Sequence, residues 1–115
     1  MAGTARVICA AAALEEGGRG VRFEHQSGGG VREPAFVVRY DGVARAFLNR
    51  CAHVPMELDW QPGVFFDADG LYLICATHGA MYDPSSGACV GGPCRGHGLA
   101  PLAVREENGN IILED

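Results

Sequence analysis

The chain has 115 residues, with 9 Lys and Arg against 14 Asp and Glu, for a formal net charge of −5. That length suits a single domain over residues 1–115 with a modest core, and an apolar share of 48% excludes a disordered chain. The acidic balance excludes a basic nucleic-acid footprint.

From the N-terminus, Met1-Ala2-Gly3-Thr4-Ala5-Arg6 lacks the charged head and long apolar stretch of a secretory leader. No apolar run reaches membrane-spanning length, so a cytoplasmic location is expected. Arg6 to Ala10 and Val21 to His25 read as strands, with a helical turn in Ala11 to Glu16 ended by Gly17-Gly18. Ser27-Gly28-Gly29-Gly30 reads as a loop. Ala35 to Tyr40 and Val43 to Asn49 flank Asp41-Gly42, a type I′ hairpin signal, and the second arm leads straight to Cys51. Asp67-Ala68-Asp69-Gly70 turns the chain into Leu71-Tyr72-Leu73-Ile74, a short apolar strand running into Cys75. Asp83 to Gly87 is a further turn, and Leu99 to Arg105 with Ile111 to Glu114 form a last hairpin around Asn108-Gly109-Asn110. No segment holds a 3.6-residue period. The expectation is an all-β domain of antiparallel strands.

Two short motifs sit at the ends of those strands: Cys51-Ala-His53 and Cys75-Ala-Thr-His78. Each supplies one sulfur and one nitrogen. Two thiolates on one iron and two imidazoles on the other make a [2Fe-2S] centre of mixed ligation. A structural zinc site is the competing reading, but zinc spacing usually pairs Cys with Cys and His with His, and here each half is mixed. The 5 cysteines of a cytoplasmic chain favour metal binding over a disulfide framework. Gly79, next to His78, suits a turn with unusual backbone angles.

The flanking residues extend the match. From Asn49-Arg50-Cys51-Ala-His53 through Cys75-Ala-Thr-His78-Gly79-Ala80-Met81-Tyr82-Asp83, and on through Ser86-Gly87, Gly92-Pro93 and Leu99-Ala100-Pro101-Leu102, the chain resembles the small soluble Rieske [2Fe-2S] ferredoxins. The resemblance implies stacked antiparallel sheets with the cluster at one tip, held by two loops and covered by a third around Gly91-Gly92-Pro93. It assigns Cys51 and Cys75 to the buried iron and His53 and His78 to the outer one, with one cluster per chain.

Departures from the respiratory members of that family carry information. Their paired extra cysteines correspond to Met56 and Thr77 here, so that bridge is absent. Ala80 stands where they place a serine that donates to a sulfide, which lowers the expected potential. Tyr82 matches a tyrosine that donates to a ligand sulfur in the high-potential group. The expected midpoint is therefore toward the low end of the Rieske range of about −150 to +300 mV, slightly above its floor.

The remaining candidates read more plainly. Trp60-Gln61-Pro62-Gly63-Val64-Phe65-Phe66 is expected to pack on the core as an apolar flap, in preference to displaying a docking surface. Cys89 and Cys94 flank Val90-Gly91-Gly92-Pro93; two small buried thiols are expected, with a disulfide as the alternative. Cys9 reads as core. His25 and His97 read as surface or loop residues, and Glu15, Glu16, Glu106 and Glu107 as solvated charges. No carboxylate pair, Ser/His/Asp set or nucleotide-binding glycine loop suggests catalysis or a bound nucleotide.

The functional expectation is thus a non-catalytic, monomeric one-electron carrier between a reductase and a terminal oxygenase, for example in aromatic-ring hydroxylation. A stably bound Rieske subunit or redox-sensing module of a larger oxidoreductase is the alternative. Neither a nucleic acid nor a membrane is expected as a partner.

Overall fold

A computed structural model describes residues 6–26, 32–50, 58–59, 63–75, 79–92 and 98–114. Ten strands run in chain order: β1 Arg6–Ala10, β2 Val21–Gln26, β3 Arg32–Tyr40, β4 Val43–Leu48, β5 Leu73–Ile74, β6 Met81–Tyr82, β7 Cys89–Gly91, β8 Pro101–Leu102, β9 Val104–Glu107 and β10 Asn110–Leu113. A 3-10 turn, Ala11–Ala13, follows β1. The strands form three sheets, ordered β1-β10-β9, β2-β3-β4-β8 and β5-β6-β7, and all the strand pairs are antiparallel.

The four-stranded sheet is the middle layer, and its sequence dictates this. β3 buries Ala35, Phe36, Val37 and Val38 in succession, a run with no polar face to give to water. Because successive side chains point to opposite faces, Phe36 and Val38 enter one apolar cluster and Val37 enters the other. β4 divides the same way, Phe47 to the first and Ala46 to the second. The second cluster gathers Leu14, Ile111 and, from the half-buried set, Ile8, Cys9 and Val104, which belong largely to the β1-β10-β9 sheet. The first gathers Leu58, Phe65, Phe66, Leu73, Cys75, Ala80 and Tyr82, so it packs the middle sheet against the β5-β6-β7 sheet. Phe65 stacks on Phe36 with ring centroids 4.0 Å apart.

The turns follow the sequence signals. Asp41 and Gly42 both take positive φ, +56° and +74°, as a type I′ turn requires. Asn108 and Gly109 do so at +53° and +77° in the β9–β10 hairpin. Phe65 and Phe66 are core residues, in keeping with the apolar flap, while Val64 is exposed. Trp60, Gln61 and Pro62 lie outside the described residues, as does the Ser27–Gly30 loop.

Several expectations are revised. β3 starts at Arg32 rather than Ala35, running through Pro34. Pro34 lacks an N–H, but its carbonyl accepts the Asn49 N–H at 2.8 Å, so the strand keeps a partner there. The strand before Cys75 is shorter than expected, since Leu71 and Tyr72 precede it as exposed residues. Leu99 to Arg105 divides: β8 pairs with β4 and β9 pairs with β10. The strands β6 and β7 are too short to carry an alternation signal. Glu16 and Glu106 are not merely solvated. The Glu16 carboxylate accepts the Asp41 and Gly42 N–H groups at 2.6 and 2.7 Å, capping the hairpin tip, and Glu106 lies 3.0 Å from Arg39.

Candidate metal centre

The second motif loop is built almost entirely by backbone. β5 delivers Cys75 fully buried. The Cys75 N–H donates to the Ala80 carbonyl at 2.8 Å, and the Gly79 N–H donates to the Cys75 carbonyl at 2.9 Å. These two bonds tie Cys75 to Gly79 and Ala80 on the far side of the motif. Gly79 takes φ +75°, a region an L side chain enters only at a cost. Behind the turn, the Ile74 N–H bonds the Phe65 carbonyl at 2.8 Å, and Phe66 bridges Leu73. The flap residues thereby act as a backing strand for the loop.

The third loop rests directly on the second. After β7, Gly92 takes φ +78°, and a Cβ there would lie 2.7 Å from the Gly79 carbonyl oxygen and 2.8 Å from the Ala80 Cα. Only a residue without a side chain permits this approach. The β6–β7 turn that sends the chain back is fixed by Asp83. Its Oδ1 accepts the Ser85 N–H at 2.7 Å and the Ser85 hydroxyl at 2.5 Å. Those bonds hold the Asp83 carboxyl below its ordinary value.

The first loop can be followed at its two roots. β4 ends at Leu48; Asn49 is buried and Arg50 is paired with Glu33 of β3. The chain is back in the core at Leu58 and Asp59, both buried. Arg50 and Asp59 bracket the Cys51–His53 motif in sequence.

Of the sequence-derived ligand positions, Cys75 is described, and it occupies a dry site at a strand end beneath a glycine turn. Cys51, His53 and His78 lie outside the described residues, as do Pro93, Cys94 and His97. Ala80 and Tyr82 are fully buried in the same apolar cluster as Cys75. Cys89 corrects the expectation of two reduced thiols in the third loop, because it is disulfide-bonded. Cys9 is half-buried, and burial pushes its thiol above the ordinary value, with Arg39 pulling the other way. Asn49 and Asp59 are the buried polar side chains among the described residues. Sequence reading did not single out Asp59; its one signal is an acidic residue directly after a core leucine.

The donor chemistry fits an iron–sulfur cluster. Cys75 offers a sulfur with no solvent access, the setting in which a thiolate ligand is shielded from water and its metal's charge is felt most strongly. Gly92 meets Gly79 and Ala80 backbone against backbone, as expected where peptide groups come close to an inorganic anion.

Three comparisons with known proteins bear on the site. The family model described as the Rieske [2Fe-2S] domain matches residues 5–106. No curated protein sequence matches the chain significantly. Among solved structures, the ferredoxin of carbazole 1,9a-dioxygenase from Nocardioides aromaticivorans IC177 is similar at 25% identity and a TM-score of 0.73, over 97% of this chain and 98% of that one. A ferredoxin of Sphingomonas yanoikuyae B1 is similar at 21% identity and a TM-score of 0.77, over 97% and 99%. A chain in a complex of reduced oxygenase and oxidized ferredoxin in carbazole 1,9a-dioxygenase gives 21% and 0.72, over 96% and 92%.

Proposed function

The chain belongs to the Rieske [2Fe-2S] domain family, and on that premise we propose that it is the ferredoxin component of an oxygenase system, taking electrons from a reductase and passing them to the terminal enzyme. With one [2Fe-2S] cluster per chain it is a one-electron carrier, and it is an electron-transfer protein rather than an enzyme. The observation that carries the oxygenase reading is the likeness to the carbazole 1,9a-dioxygenase ferredoxin over nearly the whole of both chains.

In this reading Cys51 and Cys75 hold the inner iron, and His53 and His78 the outer iron. When bound, the cluster supplies a one-electron couple, and the protein's residues set its surroundings. Cys75 keeps its ligand position dry. Gly79 and Gly92 bring the second and third loops into backbone contact. A net charge of −5 favours encounter with basic faces on both redox partners. Ala80 offers no hydroxyl donor, so the midpoint lies toward the low end of the family's span of about −150 to +300 mV. The unit is a single domain over residues 1–115, monomeric and cytoplasmic, binding neither nucleic acid nor membrane. No helix among the described residues is long and apolar enough to cross a membrane.

Electron paramagnetic resonance of the dithionite-reduced protein tests the ligand set. A g-average below that of all-cysteine clusters is expected, and His53→Ala or His78→Ala abolishes or converts the signal while His97→Ala leaves it intact. A g-average equal to that of all-cysteine clusters sinks the ligand set. Gel filtration of the native protein from its own cells tests the role: a shuttle elutes alone, and elution with a larger oxidoreductase overturns it in favour of a stable subunit.

A further inference from the structure

The two buried polar side chains among the described residues, Asn49 and Asp59, bond to each other and to the chain around them. Asn49 Nδ2 donates to Asp59 Oδ1 at 2.9 Å. Asn49 Oδ1 accepts the Leu58 N–H at 2.8 Å. Asp59 Oδ2 accepts the Gly63 N–H at 2.9 Å and lies 3.5 Å from Arg22 Nε of β2. The Asn49 N–H is itself tied to Pro34 of β3. Asn49 stands two positions before Cys51, and Leu58 five positions after His53. One amide side chain therefore joins the chain where it leaves β4 to the chain where it re-enters the core.

We propose that Asn49 and Asp59 form a positioning clamp for the first ligand loop, fixing where Cys51 and His53 are presented, and that the clamp's buried charge sets part of the cluster's potential. The proposal rests on the ligand reading above. Its physical basis is donor and acceptor matching in a dry place. Both Asp59 oxygens face N–H donors, as a carboxylate acceptor requires, and Asn49 is the residue type that can donate to one neighbour while accepting from another. A buried polar group with a mismatched partner costs far more than a bond in water gains. Such a network survives only if it is complete, and a complete network is rigid. Without it, the packing of Leu58 alone would set the second root.

The clamp makes signed predictions. Asp59→Asn removes a buried negative charge and turns an amide donor against an N–H donor. Asn49→Asp adds a negative charge and sets two carboxylates face to face. Each variant should retain iron roughly ten-fold or more less well against a chelator, the usual cost of losing a ligand-orienting partner. The midpoint potential should rise in Asp59→Asn and fall in Asn49→Asp, because a nearby negative charge opposes the added electron. The double swap, Asn49→Asp with Asp59→Asn, restores every donor–acceptor pair with the direction of the central bond reversed. It should recover iron retention and bring the potential back toward that of the unmodified protein.

The experiment is to purify the unmodified protein, both single variants and the swap with cluster loaded. Iron retention, midpoint potential, reduced-state paramagnetic spectra and far-ultraviolet circular dichroism are then measured on all four. Opposite potential shifts in the singles with recovery in the swap support the clamp. Singles indistinguishable from the unmodified protein overturn it, and so do singles that lose both sheet signal and cluster with no recovery in the swap. If the unmodified protein itself lacks a histidine-ligated signal, the ligand reading fails instead.

Discussion

On either side of the first motif the chain is pinned by side chains: an asparagine amide and an aspartate carboxylate, both buried, reach across to backbone and to each other. At the second loop the backbone does that work, through reciprocal bonds between Cys75 and the Gly79–Ala80 pair and a glycine-to-glycine contact with the third loop. The difference follows from loop length. Only residues 76–78 separate Cys75 from Gly79, so main-chain bonds can close the turn in the manner of a hairpin. Asn49 and Leu58 are nine positions apart, too far for a single main-chain turn, so a side chain must span the gap. The two loops should therefore fail differently: the first to loss of a polar partner, the second to gain of a side chain.

The largest effect that tests this contrast is expected from Gly92→Ala. The new methyl would meet the Gly79 carbonyl oxygen and the Ala80 Cα at 2.7 and 2.8 Å, with φ at +78°. Left-handed backbone and overpacking together cost about 2–4 kcal/mol. Urea unfolding should show that loss, with faster bleaching of the loaded cluster. A midpoint equal to that of the unmodified protein would mean that the third loop does not press on the second.

A smaller effect concerns Cys89, which is disulfide-bonded. Iodoacetamide under denaturing, non-reducing conditions should leave Cys89 unmodified, and prior reduction should expose it, as read by peptide mass spectrometry. In the native fold Cys9 should alkylate slowly, because its burial raises the thiol value and less thiolate is present at a given pH. Alkylation of Cys89 without reductant would remove a covalent restraint from the strand that leads to the third loop, leaving the glycine contact as its tie.

The smallest effect is at Asp83, in the turn that joins β6 to β7. Its folded-state value lies below the ordinary 3.8 because Ser85 donates to it. A depressed carboxyl stabilises the fold above the ordinary value, and the contribution is lost as pH falls through the folded one. Asp83→Ala should thus be less stable than the unmodified protein near neutral pH, with the gap closing below 3.8. Urea midpoints across that range measure it; a gap independent of pH would show that the turn gains nothing from the ionised carboxylate.

Much of the fold was legible in the sequence. Asp41-Gly42 and Asn108-Gly109 marked their hairpins because positive φ at consecutive positions is a strong local demand, met at both. β1, β2 and β4 lie close to where composition puts them. The family was legible too, since paired Cys-x-His and Cys-x-x-His motifs are specific to one kind of chemistry, and the Rieske domain model matches residues 5–106. β3 begins at Arg32, before the expected Ala35, and runs through Pro34, whose carbonyl still serves Asn49.

What the chain settled by itself is local: turn chemistry, the alternation of β2 and the four-residue apolar run at the centre of β3, all of which depend on neighbours within a few residues. Tertiary structure decided the rest. It split Leu99 to Arg105 between two sheets, turned Glu16 into a hairpin cap, laid Gly92 on Gly79 and joined Asn49 to Asp59. Each of those pairs residues distant in sequence whose separate types are ordinary. A hydrogen bond between buried polar groups takes its strength from the dry surroundings that the packed sheets create, and a linear sequence does not display those surroundings.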